Sequence, residues 1–173
     1  MSGHFNALLR AHEDELIREW ADAVYADPRT DLPALLSYRQ LIDPLPEVLD
    51  EWARALDEAA DEREIVEAAR WLRRHAQVRF QQGCLLDEVA RELMILRGVL
   101  DDFLWRVAAV RAAEGDTWEL REALRRTNRL LDEMLAQALI SYAASLRPPV
   151  HTRTTPWPPP RPRPNRRKRD EEL

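Results

Sequence analysis

Two stretches of this chain repeat their apolar residues at alternating spacings of three and four. Leu86, Val89, Leu93, Leu96, Leu100, Phe103 and Val107 make the first, and Leu120, Leu124, Thr127, Leu131, Met134, Ala138 and Ser141 the second. Such positions share a face only on an α-helix, whose turn of about 3.6 residues brings every third and fourth side chain into line. A half-buried strand would alternate with a period of two instead. Gly115-Asp116 separates the seams, and Asp116 and Glu119 stand at the spacing of a capping box. The pattern predicts two long helices over 86–107 and 117–146, packed antiparallel across a short connection. Seams this long also predict that the pair contributes to a dimer interface.

The rest of the chain obeys the same rule. Leu9, Leu16, Trp20 and Val24 share a face of a helix expected over 5–26, which Asp27-Pro28 ends because proline disfavours helical backbone in the residue before it. A short helix is expected over 37–42. Asp43-Pro44 reads as a start signal, with the aspartate capping and the proline in the first position, ahead of Leu45, Val48, Leu49, Trp52 and Leu56. A further helix carries Ile65, Ala68, Ala69, Leu72, His75, Ala76 and Arg79 on one side and stops at Gly83. Glycine is scarce, at 4 of 173 residues, so the tight turns of a β-rich fold have no residues to make them. The expectation is an all-α bundle of about five to six helices.

After Arg147 the periodicity stops. Eight of the 12 prolines fall between Pro148 and Pro164, a density that neither a helix nor a central strand tolerates. A helical domain over 1–147 and a disordered Pro/Arg-rich tail over 148–173 are therefore expected. Seven of the 26 basic and three of the 31 acidic residues lie in that tail, which leaves the body at a net charge of −9. An acidic body argues against nucleic acid as a partner. Trp157, in Thr-Pro-Trp-Pro-Pro-Pro, has no core to enter and reads either as a docking anchor or as part of an idle extension. Arg166, Arg167, Lys168 and Arg169 concentrate positive charge beyond it. Cys84 is the only cysteine, no apolar run approaches the roughly 20 residues of a membrane span, and the N-terminus has no signal-peptide segment. A cytoplasmic protein without a membrane association is expected.

No phosphate-binding glycine loop, HExxH, paired cysteines or nucleophile elbow occurs, so no catalytic, cofactor or metal residue is assigned and an enzyme is not expected. Asp101-Asp102 are helix neighbours that point apart, as solvated carboxylates do. His75 places a titratable ring on an apolar stripe. It reads as a haem ligand, as a proton-sensing switch, or as a half-buried ring satisfied by an arginine-paired carboxylate or a backbone carbonyl. Arg79, Arg91, Glu92 and Arg97 lie close to the seam and form either an ion-pair network that fixes helix register or a solvated edge. Trp20, Trp52 and Trp105 are expected in the core or at a dimer interface, and Cys84 as an inert small hydrophobe.

Three stretches together carry a resemblance. They are Leu41-Ile-Asp-Pro-Leu-Pro-Glu-Val-Leu-Asp50, then His75-Ala-Gln-Val-Arg79, then Gln82-Gly83-Cys-Leu-Leu-Asp-Glu-Val-Ala-Arg-Glu92-Leu-Met-Ile-Leu96-Arg97. The ordered set resembles the N-terminal domain of RsbR-type stressosome co-antagonists, a domain also found ahead of bacterial sensor histidine kinases. The similarity spans roughly residues 8–146. It implies a globin-like helical fold without haem, dimeric, that senses or relays a signal to an output partner. The matching residues are His75, Arg79, Gly83, Glu92, Leu96 and Arg97. Ala76 follows His75 where the family often has glycine, and no kinase or phospho-accepting domain follows within these residues. The expectation is a sensor or adaptor for bacterial signalling, homodimeric and without a cofactor, acting on a separate kinase or anti-sigma-type regulator. The alternatives are a sensor holding haem or a lipid between its helices, and a nucleic-acid-associated protein using the basic tail.

Overall fold

The computed structural model describes residues 3–57, 61–111 and 117–146. Among these residues the fold is all-α, with no strand. The helices are α1 (Gly3–Ala11), α2 (Glu13–Ala26), α3 (Leu32–Leu35), α4 (Tyr38–Ile42), α5 (Leu45–Ala55), α6 (Glu62–Trp71), α7 (Arg73–Gln81), α8 (Leu86–Arg111) and α9 (Thr117–Leu146). The tail, with Trp157, Arg166, Arg167, Lys168 and Arg169, lies outside the described residues, as does Asp116 of the expected capping box.

Helix α9 is the spine of the bundle. It packs against α8 along one side and against α5, α6 and α7 along others, while α2 crosses α8 and α5 sits against α1, α2 and α6. The α8–α9 pair is antiparallel. Tyr142, near the end of α9, donates its hydroxyl to the carbonyl of Cys84 just before α8 begins, at 2.7 Å. Midway along, Arg97 pairs with Asp132. Both seams are used inside one copy of the chain. Val89, Leu93, Leu96, Leu100 and Phe103 are buried on α8, and Leu120, Leu131, Met134 and Ala138 on α9. Each fully buried leucine of this kind stabilises the fold by roughly 2 kcal/mol. Thr127, the polar member of its seam, accepts the indole N–H of buried Trp52 at 2.8 Å and donates to the carbonyl of Ala123 at 2.8 Å. A leucine there would leave that indole without a partner.

Several sequence expectations need correction. The all-α expectation holds, and the described residues form nine helical segments, because two expected helices are each broken in two and the short α3 is added. The first is interrupted at His12, whose backbone (φ −115°, ψ 14°) leaves the helical region. The helix expected to carry Ile65 through Arg79 is interrupted at Leu72, where ψ relaxes to −3° and the His75 amide reaches back only to the carbonyl of Leu72. Asp43 does not cap α5. That helix starts at Leu45, while the Asp43 carboxylate faces Arg39 at 3.8 Å. Trp105 is exposed in the single chain, which excludes the core and leaves the dimer interface of its two expected places. The short helix α4 does have a full capping box, made by Ser37 and Gln40.

A buried charge cluster as the candidate functional site

Helix α7 ends because Gly83 takes a positive φ of 85°, a conformation glycine adopts without a Cβ penalty. The Gly83 amide bonds the carbonyl of Phe80 at 3.0 Å and the Cys84 amide bonds that of Arg79 at 2.9 Å. This is the paired closure that ends many helices in a left-handed residue. The chain reverses there, and α8 returns along α7 so that Glu92 faces His75 and Arg79.

The three side chains meet in the interior. Arg79 is 0% exposed, Glu92 3% and His75 9%. Arg79 Nε lies 3.1 Å from both oxygens of Glu92, and its Nη2 donates to Glu92 Oε1 at 2.6 Å. The rest of the guanidinium fork turns toward α4. Nη1 donates to the Gln40 carbonyl at 2.8 Å and to Gln82 Oε1 at 3.0 Å, and Nη2 to the Leu41 carbonyl at 2.9 Å. Gln40 and Leu41 lie in the last turn of α4, where carbonyls lack partners within the helix. One buried cation therefore caps α4, neutralises a carboxylate of α8 and belongs to α7. Such a fork suits arginine and not lysine, whose ammonium is a point charge.

His75 completes the cluster, with Nε2 3.2 Å from Glu92 Oε2. An ionised carboxylate only accepts, so Nε2 carries the hydrogen. Among the described residues the other ring nitrogen, Nδ1, is buried without a hydrogen-bond partner. Burial by itself would push the Glu92 carboxyl up. The charge and hydrogen bond of His75, with those of Arg79, overcome this and hold it at about 2, against an ordinary 4.5. The indole N–H of Trp20 points at the Glu92 backbone carbonyl from 3.5 Å, which joins α2 to the same place. Cys84 is buried nearby, and burial pushes its thiol up, away from the reactive thiolate.

His75, Arg79 and Glu92 are thus brought together, and an arginine-paired carboxylate engages one of the two ring nitrogens of His75. Gly83 acts through the backbone, and Leu96 lies in the α8–α9 core. Arg97 does not join them; it faces Asp132 at the edge between α8 and α9. Sequence reasoning missed the Gln40 and Leu41 carbonyls, for which a backbone acceptor leaves no signal in residue type. It also missed the buried Glu88, which accepts hydrogen bonds from the Thr30 hydroxyl and, at 3.1 Å, from the Asp31 amide. Among the described residues, no group of three or more His, Cys, Asp or Glu is placed to hold a metal ion, and no helix is long and apolar enough to cross a membrane.

The cluster gives the three resembling stretches a common physical reason. Leu41 opens the first, His75 and Arg79 bound the second, and Gln82, Gly83 and Glu92 lie in the third. Leu41, Gln82 and Glu92 accept from the Arg79 guanidinium, His75 reaches it through Glu92, and Gly83 makes the turn that brings α8 back to it. The family described as the RsbT co-antagonist protein rsbRD N-terminal domain matches residues 14–152. The chain belongs to this family. Neither a curated protein nor a solved structure matches it. Within this RsbRD N-terminal domain the charge cluster ties α4, α7 and α8 together through Arg79 and Glu92.

Proposed function

We propose that this RsbRD-type domain is a non-enzymatic sensor or adaptor of bacterial signalling, homodimeric and cytoplasmic, that acts by contact with a separate signalling protein. A kinase or an anti-sigma-type regulator is the partner class, in keeping with a family named for opposing RsbT. The observation that supports this reading best is the closed charge cluster. Arg79 spends its donors on Glu92, Gln82 and the end of α4. Its groups hold helices in register and present no reactive atom to a substrate. A domain of this kind passes on a change in helix packing, which a contacting protein reads. The globin-like arrangement without haem belongs to the same reading. Trp157 and the run Arg166, Arg167, Lys168, Arg169 serve as the docking segment.

Affinity capture from the native cell, with the whole chain and with residues 148–173 removed, tests this. The expected result is stoichiometric recovery of a kinase or anti-sigma-type regulator, weakened when the tail is removed. Co-purified lipid or a Soret band would favour a ligand sensor instead. Salt-dependent nucleic-acid binding lost with the tail would favour a nucleic-acid role.

A further inference from the structure

The inner seam of α8 is buried, but the same helix carries a second seam on its outer side. Asp87, Arg91, Met94, Gly98, Asp101 and Trp105 follow one another at spacings of four and three, as the contact positions of a coiled coil do. Met94 is 62% and Trp105 58% exposed, which is unusual for two large apolar side chains on one helix face. Between them stands Gly98, in the middle of a long helix where glycine costs backbone entropy. Nothing in the single chain requires it, since a Cβ built there meets no atom within 4 Å. Asp101 is half-buried, and among the described residues its Oδ1 has no hydrogen-bond partner.

These positions complement one another. If a second helix of the same sequence runs antiparallel across this face about a twofold axis between Gly98 and Asp101, Met94 lies opposite Trp105 of the second copy, and Trp105 opposite its Met94. Gly98 lies opposite Asp101, where the missing side chain lets the two helices approach closely. An isologous contact requires this reciprocity, in which residue i meets j and j meets i. A register shifted by one heptad would set Met94 against Gly98 and Trp105 against Asp87, so that neither large apolar side chain meets the other.

We propose that the outer face of α8, from Met94 to Trp105, binds the same face of a second copy, with the two helices antiparallel and closest at Gly98. This rests on the homodimer reading given above and assigns its interface. The test uses the full chain, with light scattering across micromolar concentrations and oxidative cross-linking. Chains with Met94→Cys mixed with chains with Trp105→Cys should form a covalent dimer, and neither variant alone should do so. Gly98→Leu should shift the protein from dimer to monomer while its thermal midpoint as a monomer holds or rises, since the single chain has room for the side chain. A wild-type dimer whose Met94→Cys chains cross-link to one another, or one that survives Gly98→Leu, would overturn this interface and leave the homodimer standing. A wild-type monomer at every concentration would overturn both.

Discussion

Replacing Glu92 by glutamine keeps the shape of the cluster and removes its only negative charge. Arg79 is 0% exposed, so the guanidinium that remains has no solvent to turn to. Removing one partner of a buried ion pair costs about 3–5 kcal/mol. Glutamine still accepts a hydrogen bond from Arg79, which puts this variant near the lower figure, about 3 kcal/mol. For a chain of this size that lowers the thermal midpoint by roughly 6–12 °C. Acid provides a second reading of the same interaction. The Glu92 carboxyl is held at about 2 in the fold against an ordinary 4.5. A depressed folded value means that the unfolded chain takes up the proton first. The stabilisation is therefore complete above pH 4.5 and is lost as pH falls toward 2, by roughly 3 kcal/mol. Denaturant titrations from pH 7 down to pH 3 measure both quantities. Wild type should lose stability along this acid limb, and Glu92→Gln should start lower and lose less. Arg79→Met combined with Glu92→Met should cost less than the two single changes together, because no unpaired charge is left behind. A loss below about 1 kcal/mol for Glu92→Gln at pH 7, with the acid limb unchanged, would refute the cluster as a structural tie.

Thr127→Val preserves volume but deprives the buried Trp52 indole of its acceptor, and should lower the unfolding free energy by about 2 kcal/mol in denaturant titration. Gly83→Ala meets no neighbouring atom, so its cost comes from the left-handed backbone alone. It should be about 1 kcal/mol, seen as a lower denaturation midpoint. Haemin titration should give no stoichiometric Soret shift that depends on His75, because Nε2 is engaged by Glu92 and the ring is almost entirely buried. A shift lost in His75→Ala would contradict this.

The parts of the fold that were legible in the sequence are those set by periodicity and by backbone-special residues. Leu9, Leu16, Trp20 and Val24 share a face and are all buried, as are Leu45, Val48, Leu49, Trp52 and Leu56. Gly83 ends α7 because only its backbone makes the left-handed turn without strain. The breaks at His12 and Leu72 were not legible, because neither residue is a helix breaker by type. Asp43-Pro44 has the composition of a cap, yet the helix begins one residue later and a second proline, Pro46, occupies its first turn. At the cluster, His75, Arg79 and Glu92 could be picked out by residue type and position on the seam. The acceptors of Arg79 on α4 could not, since a carbonyl is the same in every residue. Trp105 lies beside the inner seam in sequence but turns outward on the helix, so periodicity alone did not separate the core from an interface for it.

The claim that this domain works by contact is tested most directly by sedimentation velocity. The purified chain is mixed with the signalling protein recovered from its native cell. The expected result is a faster-sedimenting complex of fixed stoichiometry that forms without added ligand and dissociates into the homodimer and the free partner on dilution. Two separate boundaries at every ratio, with a small molecule carried through purification in its place, would contradict it.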